Sequence, residues 1–192
     1  MIERKKTMAF FLFIAALLFG AHSLGAADKR ILIMPGVRAF RGSDSSFRSI
    51  YGATQIFPEA KVGFRFHDDY YVWGSWGGFK EKGKTQSLGI DSAEVTRSFL
   101  SFGLGFEERL LGPVGYHVEV GATRTHFSEE ALELKEKGDK WGFRGEGGVK
   151  FDLSERFSLR ISVGYTDCKV TRETGDLRMG GMTGGATLVV RL

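Results

Sequence analysis

The sequence predicts an all-β protein that consists of one closed, eight-stranded, antiparallel up-and-down barrel. Three observations lead to this fold class: apolar and polar residues alternate along eight segments, glycine and aromatic residues are abundant, and charge or glycine interrupts every apolar run after residue 30. Alternation with a period of two places successive side chains on opposite faces of a strand. The 27 glycines, 17 phenylalanines and only 3 prolines are typical of strands and turns rather than of helices.

Five segments alternate most regularly, and each is predicted to be a strand. They are residues 96–106, 116–123, 141–151, 157–166 and 182–192. Three earlier strands, residues 30–40, 60–66 and 71–79, are less regular. Pro35 predicts a bulge or an unpaired position in the first of these, and Tyr71, Trp73 and Phe79 share one face of the third.

The connections between the predicted strands alternate in length. Residues 41–56, 80–93, 127–140 and 168–179 are long and polar, whereas residues 67–70, 107–115 and 152–156 are shorter. Short turns at one end and long loops at the other are typical of barrels that span a bacterial outer membrane, with both termini on the periplasmic side. Residues 129–137 fit either a helical turn or an extension of their hairpin.

The first 27 residues predict a cleaved secretory signal peptide. Residues 4–6 are basic, residues 10–21 are almost wholly apolar, and small residues precede a cleavage site after Ala27. The apolar run is too short to span a bilayer as a helix, which needs about 20 residues. Residues 28–192 are then the barrel domain. The weak net charge does not suggest nucleic acid, and the single Cys168 cannot form an internal disulfide.

The bulk of the apolar face predicts that this face lies on the outside of the barrel, in lipid. Eight strands enclose an interior just wide enough for side chains, and Phe102, Phe143, Leu159 and the other large residues would overfill it. Aromatic residues near both strand ends suit two belts at the membrane surfaces. The predicted belts are Phe66, Tyr71, Phe106, Tyr116, Phe151 and Phe157 at the short turns, and Phe40, Phe57, Phe79, Trp141 and Tyr165 at the long loops.

The last strand places Leu188, Val190 and Leu192 on the apolar face. It resembles the C-terminal strand that the barrel-assembly machinery reads, although that strand usually ends in an aromatic residue. Residues 28–192 as a whole resemble the small eight-stranded outer-membrane β-barrel family, which includes the barrel domain of outer membrane protein A and the adhesion-and-invasion barrels. The resemblance implies a transmembrane barrel in the bacterial outer membrane, and we expect a monomer that is not an enzyme. Its expected role is structural or in surface interactions such as adhesion, in contact with lipid and lipopolysaccharide.

Five charged residues of the predicted inner face are candidate lumen residues, which we expect to form a salt-bridged plug. Charges in a narrow interior need partners, since such a site screens them poorly. If Phe151 faces Phe157, then Glu146 faces Ser162 and Arg160 is its diagonal neighbour. A narrow, gated ion pore is the alternative interpretation of the same five residues, which are Glu119, Arg144, Glu146, Lys150 and Arg160.

Two other functions stay open at this point. A soluble periplasmic barrel that binds a small apolar ligand alternates in the same way, but with its faces reversed. The second is a lipid A-modifying enzyme on the same barrel, because one deacylase family uses a His-x-Ser motif with a nearby Glu. His126 and Ser128 have that spacing, and Glu129, Glu130 and Glu133 follow.

The sequence predicts no cofactor and no metal site, because Cys and His do not cluster. Basic residues of the long loops fit two interpretations equally well: contact with lipopolysaccharide phosphates or host surfaces, and solubility of exposed loops. They are Arg41, Arg48, Lys80, Lys82, Lys84, Lys135, Lys137, Lys140, Lys169, Arg172 and Arg178.

Overall fold

The computed structural model describes residues 30–85, 90–131, 134–172 and 175–192, so the predicted signal peptide lies outside the described residues. Within these ranges one short helix, α1 (Ser45–Tyr51), follows the first strand. The strands are β1 (Ile31–Gly42), β2 (Gln55–Arg65), β3 (Tyr70–Thr85), β4 (Ile90–Leu111), β5 (Val114–Ala131), β6 (Leu134–Asp152), β7 (Phe157–Asp167), β8 (Lys169–Arg172), β9 (Gly175–Arg178) and β10 (Gly181–Arg191). In the described part of the chain, no helix has the length and apolar character needed to cross a bilayer.

Eight of these strands close into one antiparallel barrel, which confirms the predicted fold class. Each strand pairs with its neighbour in the sequence, and β1 closes the barrel by pairing with β10. Strands β8 and β9 form a separate two-stranded hairpin between β7 and β10. Both ends of the barrel sequence, Ile31 and Arg191, lie at the end with the short turns.

The barrel has its apolar residues outside and its charged residues inside. On the wall, Phe102 is 53% exposed, Phe143 57% and Val163 68%, whereas Arg160 in the interior is 2% exposed. The same alternation runs along β2, where Val62 and Phe64 face outward while Lys61 faces inward. A band of exposed apolar side chains therefore surrounds a charged interior, as the sequence predicted.

The two aromatic belts are only partly as predicted. At the short turns, Phe66, Tyr70, Phe106 and Tyr116 form a chain of ring contacts whose successive centroids are 6.4, 5.0 and 5.8 Å apart. Phe151 and Phe157 also lie on the outer face, and at the other end Trp141 and Tyr165 do so. The belt prediction was wrong for four residues that are buried in the interior, namely Tyr71, Phe40, Phe57 and Phe79.

The cause of this error is the composition of the first three strands, whose interior positions are partly aromatic. Phe40, Phe57, Phe79 and Phe99 come from β1, β2, β3 and β4. They pack together inside the end opposite the short turns, which we call the upper end, with neighbouring centroids 5.5 to 6.2 Å apart. Below them the interior holds the charged residues together with a second buried cluster, which consists of Leu32, Met34, Tyr71, Trp73 and Val189. Bulk alone therefore did not decide which face was outside in this part of the barrel.

Two of the predicted long loops are strand instead. Residues 80–85 belong to β3, and β4 already begins at Ile90; similarly β5 continues to Ala131 and β6 begins at Leu134. Of the two alternatives for residues 129–137, the extended hairpin is the one observed. The upper parts of β3, β4, β5 and β6 thus form a sheet that projects beyond the closed barrel.

The first predicted strand carries no bulge at Pro35. Pro35 pairs with Ala60 of β2. The register between β1 and β10 is the same on both sides of it, from Ile33 opposite Val190 to Gly36 opposite Thr187. On the β10 side, Met34 and Pro35 have no register partner, so the unpaired position is the alternative observed, and a residue without an N–H group is accommodated there.

Glycine at position 105 gives space to a large interior side chain. A Cβ atom at Gly105 would lie 2.1 Å from the ring of Tyr71, which is the residue opposite it on β3. Gly74 is its counterpart on the outer face, where the nearest atom to an added Cβ is a backbone oxygen 3.9 Å away. The interior position at Gly105 therefore has no room for a methyl group, whereas the outer position at Gly74 does.

We predict that Gly105→Ala lowers the free energy of unfolding by about 1–3 kcal/mol, because the added methyl group displaces a packed ring. Gly74→Ala is the matched control and should leave stability unchanged or slightly raised. Urea titration of the folded protein, followed by gel mobility, measures both. Equal effects of the two substitutions would contradict the assigned packing of Tyr71.

Candidate functional site

The most concentrated set of charges in the described chain lies inside the barrel. Its upper part is a ring of alternating charge, the upper ring, made by Arg38 of β1, Glu59 of β2, and Arg144 and Glu146 of β6. Arg38 donates to Glu59 at 2.7 Å and to Glu146 at 2.8 Å. Arg144 donates to the same two carboxylates at 2.6 and 2.8 Å. Each guanidinium therefore bridges both carboxylates through charge-assisted hydrogen bonds, which are stronger than those between neutral groups.

The middle of the lumen is held by Lys61, Glu119, Arg160 and Tyr71. Glu119 and Glu146 are opposite one another on β5 and β6, and Lys61 contacts both, pairing with Glu119 and lying 3.6 Å from Glu146. Arg160 lies 3.2 Å from Glu119, and the Tyr71 hydroxyl donates to Glu119 at 2.7 Å. A cation between two opposed carboxylates removes the repulsion that the strand register would otherwise impose.

The lower part of the network is centred on Glu107 of β4. Arg160 and Arg65 both pair with it, and Lys150 lies 3.7 Å away. Asp152 accepts from Arg191 at 2.8 Å and lies 3.8 Å from Lys150. Below these groups lies an open vestibule of about 290 Å³ at the short-turn end of the barrel.

Two aromatic side chains make further contacts with the cations. Trp73 has its ring 5.0 Å from the ammonium of Lys61 and 5.8 Å from the guanidinium of Arg144. Tyr71 lies 5.1 Å from the guanidinium of Arg160. Such cation–π contacts are strongest when both groups are removed from water, as they are here.

The sequence-predicted lumen residues all lie inside the barrel. Arg144 and Glu146 contact each other, Arg160 contacts Glu119, and Lys150 contacts neither of these pairs directly but shares Glu107 with Arg160. The predicted neighbours of Glu146 were wrong: Phe151 faces Leu159 rather than Phe157, so Glu146 faces Gly164. The register differs by two residues, which keeps every side chain on its predicted face but changes its partners.

Sequence reasoning missed the partners that come from the less regular N-terminal strands. Arg38, Glu59 and Lys61 lie on β1 and β2, and Glu107 lies at a predicted turn that is strand in the structure. The alternation in residues 60–66 placed Lys61 on the inner face, so this residue had a signal. Arg38 had none, because the face assignment of its strand was uncertain.

An aromatic layer covers the network at the upper end. Phe47 and Tyr51 of α1 pack onto the cluster of Phe40, Phe57, Phe79 and Phe99. The space between this cluster and the upper ring is about 10 Å³, close to the smallest volume that holds one water molecule. The upper lumen is therefore filled by rings above and by ion pairs below.

Helix α1 is fixed in this position by contacts from three sides. Asp44 caps its first turn, and Arg48 donates to the carbonyls of Gly42 and Ser43, both at 2.8 Å. Tyr51 donates to Glu129 of β5 at 2.7 Å, and burial together with this bond raises the pKa of Tyr51. The helix thus connects β1 to the projecting sheet.

The His-x-Ser motif lies on the outer face of the projecting sheet. His126 and Ser128 point to the same side of β5, and Nδ1 of His126 lies 3.1 Å from Oδ1 of Asp139 on β6. Glu129 is on the opposite, inner face, where it binds Tyr51, so it is not the acidic partner of this histidine. Glu133 lies outside the described residues. Among the described residues, no group of His, Cys, Asp and Glu is placed to hold a metal ion.

No protein-family model matches the chain, and no curated protein matches it. Solved structures do match. The outer membrane protein OprG of Pseudomonas aeruginosa has a TM-score of 0.67 and 14% identity, covering 84% of this chain and 95% of its own. Neisserial surface protein A has a TM-score of 0.59 and 12% identity, covering 86% of this chain and 98% of its own.

Ail, the attachment invasion locus protein of Yersinia pestis, has a TM-score of 0.51 and 17% identity, covering 83% of this chain and 98% of its own. These likenesses extend over nearly the whole barrel and over nearly all of each matched chain, while sequence identity is low. They concern the path of the backbone and carry no assignment of activity. The chain has the closed eight-stranded fold of the small outer-membrane β-barrel proteins, the family that its sequence resembles.

Proposed function

We propose that this protein is a monomeric barrel of the bacterial outer membrane with a structural or surface-interaction role, and that its lumen is closed to solutes. The observation that carries the proposal is the inverted polarity of the barrel, with Phe102 and Phe143 exposed on the wall and Glu146 and Arg160 buried within it. In water such a wall would be an exposed apolar surface far larger than monomeric soluble proteins carry. In a bilayer the same apolar wall lies against the acyl chains of the lipids.

The closed lumen is supported by the number of strands and by the contents of the barrel. Eight strands leave room for side chains but not for a wide channel. The upper ring joins strands on opposite sides of the lumen, since Arg38 of β1 contacts Glu146 of β6. Each buried ion pair costs desolvation energy when it forms. Removing one partner would leave an uncompensated buried charge, which costs more, so the pairs remain together.

A surface-interaction role is supported by the projecting sheet and by α1, which together form the exposed end of the molecule. Neisserial surface protein A and the attachment invasion locus protein carry surface and attachment roles in their names. A soluble periplasmic barrel that binds an apolar ligand is disfavoured, because in the described residues the centre of the interior is charged.

A second candidate function is modification of lipid A, and one contact favours it. The bond from His126 to Asp139 is the arrangement by which a carboxylate orients a histidine base, and Ser128 is on the same face two residues along. This face lies just beyond the apolar band, where lipid headgroups would be. The barrel and its membrane location are the same in both proposals.

We predict that the protein fractionates with outer membranes, requires detergent for release, and migrates differently on gels before and after boiling. Val163→Arg should impair insertion by about 2–4 kcal/mol, since an arginine in the middle of the band is costly. Ser128→Arg, on the outer face beyond the band, is the control and should insert normally. Release of the unmodified protein by osmotic shock would refute the membrane location.

We predict that the purified protein gives no stable, reproducible conductance in planar bilayers. Arg38→Gln removes the cation that joins Glu59 to Glu146 and should destabilise the barrel by about 3–5 kcal/mol in urea titrations, because it leaves buried carboxylates short of a partner. Arg109→Gln is the matched control, since Arg109 is exposed and its partner Asp152 keeps its ion pair with Arg191 when Arg109 is neutralised. Stable conductance of the unmodified protein would show that the lumen is a pore.

For the second candidate, mass spectrometry of lipid A from cells that produce the protein is the direct measurement. Enzymatic activity predicts loss of an acyl chain that disappears in Ser128→Ala and in His126→Ala. Ser98→Ala, at a neighbouring outer-face hydroxyl, should leave any such activity in place. An unchanged lipid A profile with the unmodified, correctly inserted protein would rule this function out.

A further inference from the structure

The vestibule at the short-turn end lies next to the lower part of the charge network. The ends of β2, β4, β6 and β10 form its inner wall. Its mouth is bordered by carboxylates of two turns, Asp68 and Asp69 between β2 and β3 and Glu155 between β6 and β7. The volume of about 290 Å³ is close to that of the smallest pockets that hold small organic molecules.

The charged layer at the bottom of this vestibule, the vestibule floor, has more cations than carboxylates. Its cations are Arg65, Lys150, Arg160 and Arg191, and its carboxylates are Glu107 and Asp152. Arg160 also contacts Glu119, but that carboxylate already pairs with Lys61. Among the described residues the floor therefore holds a surplus of two positive charges, whereas the upper ring is balanced.

This surplus is unfavourable because most of the floor cations are removed from water. Lys150 is 5% exposed, Arg191 7% and Arg160 2%. A buried charge costs free energy unless an opposite charge lies beside it. Since the floor borders the opening of the barrel, a dissolved anion can reach it and supply the missing negative charge.

The floor also has donors without acceptors. The ammonium of Lys150 lies 3.7 Å from Glu107 and 3.8 Å from Asp152, which is beyond hydrogen-bond distance from either carboxylate. Nε of Arg65 is buried and has no acceptor in the described part of the chain. Because an ammonium can donate three hydrogen bonds, Lys150 at the vestibule wall has donor capacity for a ligand.

The carboxylates at the mouth do not neutralise the floor. Within the described ranges, neither Asp68 nor Asp69 forms an ion pair with a floor cation. Asp68 is exposed at its turn, where water and salt screen its charge over about 8 Å. It therefore acts on an entering anion by weak repulsion, with a sign opposite to the effect of the floor cations.

We propose that the vestibule binds a small dianion of the phosphate type, as free phosphate or as the phosphate end of a water-soluble monoester. Two negative charges match the surplus of two, and phosphate oxygens accept strongly from ammonium and guanidinium groups. Lys150 donates to the phosphate, and the organic part of a monoester occupies the remaining volume towards the mouth. Binding requires only the folded barrel, whereas placing the site on the periplasmic side rests on the proposed membrane location.

The charge surplus also predicts that Lys150 is dispensable for folding. When Lys150→Gln removes one cation, both floor carboxylates keep an arginine partner. Without phosphate, the urea midpoint of this variant should therefore equal or exceed that of the unmodified protein. This result is the opposite of the destabilisation expected for Arg38→Gln in the balanced upper ring.

The experiment measures binding of radiolabelled inorganic phosphate to the full folded chain in micelles of a non-ionic detergent by equilibrium dialysis. Sodium chloride keeps the ionic strength constant, at about pH 8, where phosphate and its monoesters carry close to two negative charges. Lys150→Gln should weaken binding about tenfold, because it removes a charge-assisted donor. Asp68→Asn should strengthen binding about twofold, because it removes repulsion at the mouth.

Arg124→Gln is the matched control, since it neutralises an exposed arginine on the projecting sheet, and it should leave phosphate binding unchanged. Phosphate should also raise the urea midpoint of the unmodified protein but not that of Lys150→Gln, because a ligand stabilises only the state that binds it. Competition by glycerol phosphate would identify monoesters as ligands, and its failure to compete would restrict the site to free phosphate.

Phosphate binding that is no tighter than chloride binding, or that is unchanged in Lys150→Gln, overturns the proposal. A Lys150→Gln chain that is destabilised or unfolded contradicts the charge surplus and the site with it. Gel mobility before and after boiling shows whether each variant is folded. A folded, unmodified chain that does not bind phosphate refutes the site alone, whereas the membrane location is tested separately by fractionation.

Discussion

The structure depends on one constraint: charges enclosed in a narrow barrel must find partners inside it. Eight strands leave no room for the water that would otherwise solvate these groups. In the lumen, each of several cations contacts two carboxylates. Arg38 and Arg144 both bridge Glu59 and Glu146. Lys61 lies between Glu119 and Glu146. Because Arg38, Arg144 and Lys61 each contact two carboxylates, the upper and middle parts of the network do not depend on single ion pairs.

This sharing also ties together strands that are far apart in the sequence. Arg38 of β1 contacts Glu59 of β2, Glu146 of β6 and, through a hydrogen bond of 2.7 Å, Ser162 of β7. Hydrogen bonds between neighbouring strands close the wall, but these contacts cross the interior. The hydrogen bonds between strands and the ion pairs in the lumen therefore stabilise the same closed state. Such agreement between interactions is what a single native structure requires.

The two ends of the barrel differ in structure. The short-turn end opens into a charged vestibule and carries a chain of aromatic contacts on its outer face. The other end is covered by α1 and the aromatic cluster, and it extends into the projecting sheet. The lumen is therefore open towards the short turns and covered at the other end, where the projecting sheet leaves the apolar band.

The sequence by itself determined the strand number, the inverted polarity and the face of each lumen residue in the C-terminal half. Period-two alternation is a local property, so Arg144, Glu146, Lys150 and Arg160 could be assigned to the interior from their neighbours alone. It did not determine the aromatic interior of the first strands, because both faces of β3 carry large residues: Trp76 is outside and Trp73 inside.

Only the tertiary structure decided which charges meet. A shift of two residues in the pairing of β6 and β7 leaves every face unchanged but replaces the partners of Glu146, and alternation contains no information about such a shift. The same holds for Arg38 and Glu59, which reach β6 across the lumen through barrel closure. Polarity follows from local sequence, whereas ion-pair partners follow from strand register and from the closing of β1 against β10.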